Sequence, residues 1–324
     1  MVNRQTWLSV FGRSLNLPCF FPSISSIKTN LAPIEYLRLL VDVNYPQFLV
    51  SAYDIFNTSV EQRRQFNTIL QNAAEREQLI LLDSGNYESY WRDDKSWNKT
   101  SFHSVLQREQ CHLAFCFDRQ DEYCNIERIV DQVETSVVST QSEALLASVV
   151  PIVHGEPDIL PEASLLLTQR LHPILLAIPE RELGNGIISR AATLLRIRKT
   201  MDQTGKYYPL HLLGTGNPLS ILIYSMCGAD TFDGLEWCQT AVDYSTGLLY
   251  HFHQREFFGK QTQFDSTPKL PYELATLAHN LLFYRQWMDK IQDSISNGTI
   301  TDMAMRFMDK SFCSTLLDYL SRVT

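Results

Sequence analysis

Short blocks of consecutive apolar residues recur along the chain, each closed by polar or turn-forming residues. They are Leu17–Pro22, Gln47–Tyr53, Leu79–Leu82, His112–Phe117, Ser148–Val153, Pro173–Pro179, Tyr208–Leu213 and Ala229–Phe232. Blocks of this length with no polar alternation suit strands buried on both faces, as in a parallel sheet. Between several of them the apolar period changes to that of a helix. Ile34–Val41, Val60–Glu77, Asn125–Ala147, Ile187–Met201 and Pro218–Ser225 carry it, and in the second of these Phe66, Ile69, Leu70 and Ala73 share one face. Eight strands, most followed by a helix, predict an α/β chain folded as a (β/α)8 TIM barrel. A doubly wound open sheet is the alternative, but the glycine-rich phosphate turn after its first strand is missing.

Beyond the last strand, a hairpin is expected at Thr246-Gly247. Long helices follow at 271–296 and 301–321, with Ala278, Leu281, Leu282, Tyr284 and Met288 as a buried stripe. These are expected to be the barrel's last helix and a packed C-terminal helical extension. No linker separates them from the barrel, so residues 1–324 form one domain with helices from about 271 to 324 packed on it.

A chain of 324 residues accommodates a barrel of roughly 250 residues with additions. The hydrophobic fraction of 44% and charged fraction of 20% exclude a disordered chain. The formal charge of −8 excludes nucleic-acid binding by a general positive field but not by a local basic patch. Arg190, Arg196, Arg198 and Lys199, with Lys260 and Lys269, are candidates for such a patch. The seven cysteines are scattered without a CxxC pair, which predicts reduced thiols and no cysteine-rich metal site. Without a leader-like start or a run of about 20 apolar residues, a cytoplasmic protein with no membrane segment is expected.

The chemistry gathers at strand ends. Asp83, Asp118 and Asp233 each close an apolar block, and at the C-terminal face of a barrel such positions are catalytic. Singly, an aspartate there is also a good cap or turn residue. Three on one face suit glycosidic-bond chemistry, in which one carboxylate attacks the anomeric carbon and another moves the proton. Gly234 after Asp233 permits close approach of a ligand or another backbone.

The order of the segments resembles the tRNA-guanine transglycosylase family, whose members exchange a guanine in nucleic acid for a 7-deazaguanine. Leu82-Asp83-Ser84-Gly85-Asn86-Tyr87 is similar to the family's LDSGGY/F segment and Phe117-Asp118 to its FD segment. Val153-His154-Gly155 stands where the family has VQG, and Leu213-Gly214-Thr215-Gly216-Asn217-Pro218 is similar to MGVGTP. Gly228-Ala229-Asp230-Thr231-Phe232-Asp233 resembles G-x-D-x-F-D, and Ala278-His279-Asn280-Leu281-Leu282-Phe283-Tyr284 resembles the HNLxxY helix. The resemblance implies that Asp233 is the nucleophile at C1′ and Asp83 the general acid/base. It implies that Asp118 bonds the guanine-like edge and that Tyr87 stacks on the base. Ser84, His154, Gly155, Leu213, Gly214 and Gly216 are implied to complete the substrate site.

The departures carry expectations too. The family's zinc loop, CxCxxC joined to the histidine of HNL, is reduced to Cys238 and His279, so no metal is expected. His251 and His253 are read as structural. Pro179-Glu180-Arg181-Glu182-Leu183-Gly184-Asn185 replaces GGLAVGE, which implies that the incoming base is held differently. Leu235 to Gln239 replaces VLPTR, which removes an arginine placed near the nucleic-acid backbone. The expectation is an enzyme with no cofactor that places a 7-deazaguanine-type base in nucleic acid, DNA ahead of tRNA, with a protein partner or a homodimer supplying further grip. The alternatives are a non-catalytic nucleic-acid-binding or partner subunit and a base-releasing N-glycosidase.

Overall fold

The structure is a computed structural model that describes residues 2–118, 125–266 and 270–323. Its centre is eight parallel strands: β1 (Cys19–Ile24), β2 (Gln47–Ser51), β3 (Leu79–Asp83), β4 (Leu113–Phe115), β5 (Ser148–Val150), β6 (Leu176–Pro179), β7 (Leu210–Leu213) and β8 (Thr231–Gly234). Neighbours pair in chain order from β1 to β5 and from β6 to β8, and β8 pairs β1 with Asp233 opposite Phe21. Only a single parallel bridge, Ile152 to Ala177, joins β5 to β6, so the (β/α)8 barrel is nearly closed rather than uniformly laddered. Each of the eight apolar blocks overlaps one barrel strand: five strands lie within their block, while β1, β3 and β8 run one or two residues past its C-terminal end.

Two layers of apolar packing hold this frame. One lies between the strands and the surrounding helices, among them Pro33–Asp42, Val60–Glu75, Ile126–Gln141, Leu160–Leu171, Ile187–Met201 and Pro218–Met226. The other fills the barrel interior with Phe21, Leu81, Phe115, Val150 and Ala177. Leu8, Val10 and Leu15 join this inner layer from an antiparallel hairpin, Trp7–Val10 with Arg13–Asn16, which the sequence reading did not anticipate. The hairpin's apolar residues pack with Cys19, Leu79, Leu113 and Leu175, which lie at the N-terminal ends of strands, leaving the C-terminal end open.

The expected hairpin at Thr246-Gly247 is present as Thr240–Val242 paired with Leu249–His251. The C-terminal extension is three helices, Tyr272–Ser296, Ile300–Phe307 and Lys310–Arg322. The anticipated 301–321 helix breaks where Met308 turns extended and Asp309 accepts the amides of Ser311 and Phe312 as an N-cap. Among the described residues no helix is long and apolar enough to cross a membrane.

One buried ionic network fixes the strand that carries the leading candidate. Asp230, just before β8 and fully buried, accepts from Arg4 Nε at 3.1 Å, Arg198 Nη2 at 2.9 Å, the Tyr207 hydroxyl at 2.7 Å and the Leu210 amide at 2.9 Å. Arg198 also donates to the Gly228 and Tyr208 carbonyls. Removing one partner of a buried pair strands the other charge and typically costs about 3–5 kcal/mol. Asp230→Ala is therefore expected to lower unfolding stability by roughly that amount in a denaturant titration. A loss below about 1 kcal/mol, the range of exposed pairs, would contradict this role.

Candidate active site

A cavity of about 360 Å³ opens at the C-terminal end of the barrel. Eight of the ten expected site residues line it: Asp83, Ser84, Tyr87, Asp118, His154, Leu213, Gly214 and Asp233. Gly155 and Gly216 do not. The Gly155 amide donates to Glu182 Oε2 at 2.9 Å, and the Gly216 carbonyl accepts from the Tyr284 hydroxyl at 2.5 Å. A Cβ on Gly216 would lie 1.9 Å from Glu236 Oε2, so a side chain here would displace the Glu236 carboxylate that lines the cavity.

Asp233 is held on both oxygens. Ser23 Oγ donates to Oδ2 at 2.8 Å, while His211 Nε2 at 3.1 Å and the Gly214 amide at 2.9 Å address Oδ1. His211 comes from β7 and is fully buried, with Phe21 and Phe115 edge-on to its ring. Its Nδ1 meets Thr231 Oγ1 at 2.8 Å. An ionised carboxylate only accepts, so Nε2 carries the proton and Nδ1 accepts from the threonine hydroxyl. Three fixed donors leave the carboxylate little rotational freedom and hold it at one wall of the cavity.

Asp83 is treated differently. It ends β3 and accepts the Gly85 amide at 2.8 Å, and Gly85 lies against Tyr53 so closely that a Cβ would be 2.6 Å from the Tyr53 Cβ. Burial, followed by the negative charge of Glu88 and then of Asp118 and Asp233, pushes its carboxyl well above the ordinary range, outweighing the Gly85 bond. Asp118 goes the other way. Burial opposes its ionisation, but His154 Nε2 at 3.0 Å, Ser84 Oγ at 3.0 Å and Asn86 Nδ2 together hold it below the ordinary value. His154 also meets Glu182 Oε1 at 2.7 Å through Nδ1. Burial would lower its pKa, but the two carboxylates win and raise it to about 9, so both ring nitrogens donate at neutral pH. Carboxyls whose surroundings drive their pKa values apart are able to divide acid and base work between them.

Sequence reasoning did not single out several groups found here. Glu88, Glu180 and Glu236 line the cavity, and Glu182 and His211 stand behind it. With Asp83, Asp118 and Asp233 the cavity lining carries six carboxyl side chains against two basic ones, His154 and Arg181. A space so acidic favours a neutral base edge and disfavours a phosphate. Glu180 is matched by Arg190 Nη1 at 2.7 Å and the Tyr224 hydroxyl at 2.6 Å. Glu88 is buried, with Ser25 Oγ at 2.5 Å on one oxygen and Ser51 Oγ at 2.7 Å on the other.

Burial, then the charge of Asp54, raises Glu88 from 4.5 to about 7, more than the two hydroxyls lower it. The unfolded chain releases this proton near 4.5 and the folded chain near 7. Between those values the folded state binds more protons, so stability declines as pH rises through the window and levels off above it. Glu88→Gln cannot ionise and should be more stable than the wild type at pH 8 by on the order of 3 kcal/mol, the gap closing toward pH 4.5. Denaturant titrations across this range check it, and a gap independent of pH would contradict the assignment.

The expected basic patch does not form on the helix Ile187–Met201. Arg198 is buried at the opposite end of the barrel on Asp230, Arg190 is turned to Glu180 and the Gly184 carbonyl, and Arg196 meets Asp158 at 3.0 Å. Lys199 is partly buried, Lys260 is exposed, and Lys269 lies outside the described residues.

The residues present do not fit the zinc site of the resembled family. His279 is fully buried, with Nε2 on the Val242 carbonyl at 2.8 Å and Nδ1 beside Thr262 Oγ1 at 3.3 Å. The Cys238 thiol donates to the Leu235 carbonyl at 3.2 Å. Among the described residues no three His, Cys, Asp or Glu side chains are grouped to hold a metal ion. In comparisons with known proteins, no family model and no curated protein matches the chain.

Proposed function

We propose that this cavity exchanges a guanine base in nucleic acid for a 7-deazaguanine-type base, with DNA preferred to the ordinary tRNA loop. The observation that carries the reading is one cavity holding two unlike aspartates: Asp83, buried among other carboxylates that raise its pKa, and Asp233, fixed by three donors. The resemblance of the segments bearing them to the transglycosylase family supplies the reaction.

The target base leaves its stack and enters the acidic cavity while its phosphates stay outside. An Asp233 oxygen attacks C1′ and the bond from C1′ to N9 breaks. The electron pair goes to the base, and Asp83 delivers its proton to the departing guanine. The incoming base then gives its N9 proton to Asp83 and attacks C1′, breaking the ester to Asp233. Two inversions return the original β configuration. Asp118, held by His154, Ser84 and Asn86, presents acceptors to the N–H groups of a guanine-like edge. Leu235 to Gln239 in place of the family's VLPTR, with a His279 whose ring nitrogens are engaged within the chain, favours a polymer other than the usual tRNA.

Incubation with labelled guanine and either duplex DNA or unmodified tRNA, with and without co-purifying proteins, tests the reading. Label entering DNA is the expected result. Robust incorporation into tRNA alone would overturn the choice of polymer. Release of free guanine without incorporation would make the chain an N-glycosidase, and binding of the polymer with neither reaction would make it a non-catalytic subunit.

A further inference from the structure

We infer that the aromatic residues of the short helix Asn86–Trp91 form a stacking platform at the cavity rim for unpaired bases of a single-stranded nucleic acid, next to the nucleotide whose base enters the cavity. The identity of the cavity's occupant rests on the function proposed above, whereas the platform itself rests on independent observations.

The helix begins immediately after Asp83-Ser84-Gly85, so its orientation is tied to the catalytic aspartate. Tyr87 lines the cavity and is 39% exposed, and beyond it Tyr90 is 72% and Trp91 50% exposed. The three rings form one cluster, with Trp91 edge-on to Tyr87 at 6.4 Å and to Tyr90 at 5.8 Å. Burying these rings would be favourable, so consecutive aromatic surface left in solvent beside a cavity asks for a partner.

Charge selects which partner. Lys28 Nζ stands 3.7 Å above the Trp91 ring, and the Lys28 carbonyl accepts from Gln239, itself a cavity-lining residue, so the Lys28 backbone also adjoins the rim. Arg92 follows the platform directly and donates to Ser26 Oγ at 2.8 Å. The cavity rejects phosphate by its carboxylates while the rim offers cations beside flat aromatic surface. That division matches an extruded base with its backbone outside, and aromatic rings accept any base because every base has a π face. A duplex keeps its bases stacked on one another and cannot use the rings in this way.

The test is binding of a fluorescein-labelled single-stranded DNA 12-mer, and of its duplex, to the full chain. Base–aromatic stacking measured by alanine substitution predicts that a Tyr90→Ala/Trp91→Ala double variant binds the single strand at least about tenfold more weakly. Tyr90→Phe/Trp91→Phe should bind within about twofold of the wild type, because its rings remain. Lys28→Ala and Arg92→Ala should each flatten the dependence of log affinity on log salt by about 0.7. Equal binding by the alanine variant and the wild type would overturn the platform. So would a change in oligomeric state of the alanine variant by sedimentation with single-strand affinity retained, which would make the rings a contact between copies of this chain. Binding is read without turnover, so a platform that binds in a chain lacking base exchange would refute the proposed function alone. Exchange into single-stranded DNA that persists with unchanged KM in the alanine variant would refute the platform alone.

Discussion

Asp233→Asn is expected to remove base exchange, with a loss beyond the roughly 10²–10⁴-fold that an acid–base group contributes. The amide has nearly the shape of the carboxylate and can still accept from some of the donors that now fix it, Ser23 Oγ, His211 Nε2 and the Gly214 amide. What it cannot do is form an ester with C1′. The fold should survive, because the buried ionic network three residues earlier belongs to Asp230 and is untouched. Circular dichroism and thermal unfolding close to wild type, alongside absent exchange, is the expected pair of results. Exchange at the wild-type rate would remove Asp233 from the mechanism.

Asp83→Asn should cost about 10²–10⁴-fold in exchange. Its acid is raised by burial and by the surrounding carboxylates, so it keeps its proton to higher pH than an ordinary aspartate. The first chemical step therefore slows as pH rises through the raised value, and this alkaline limb should vanish in the variant. A leaving base that departs without protonation should be released from Asp83→Asn with a much smaller penalty than guanine. A uniform loss for both leaving bases would indicate that Asp83 only shapes the cavity.

The barrel was legible because each strand is buried on both faces and so appears as an unbroken apolar block. The mouth aspartates were legible as polar residues at the ends of those blocks, and the structure gathers Asp83, Asp118 and Asp233 around one cavity. The N-terminal hairpin was missed because its alternation, exposed Trp7 and Ser9 against buried Leu8 and Val10, spans only four residues on each arm and gains its meaning from the barrel end it covers. Glu88, Glu180, Glu182 and Glu236 carried no signal, since a glutamate in a helix or after a strand usually faces water. Their position at or behind the cavity follows from strand and helix placement across the whole barrel. His211 offered a faint one, a single polar residue inside an apolar strand two positions before Leu213, the same side of a pleated chain. Arg198 misled for the converse reason: its helix looks basic in sequence, yet the partner that claims it, Asp230, is 32 positions away.

The central claim is a covalent bond between this chain and a nucleic acid. Wild-type protein incubated with guanine-containing DNA, quenched in denaturant and analysed by intact-mass spectrometry should show a fraction shifted by the mass of the oligonucleotide less one guanine. Peptide mapping should place the addition on Asp233, and Asp233→Asn should show none. Base exchange or release without any such adduct, or an adduct that persists in Asp233→Asn, would contradict the account.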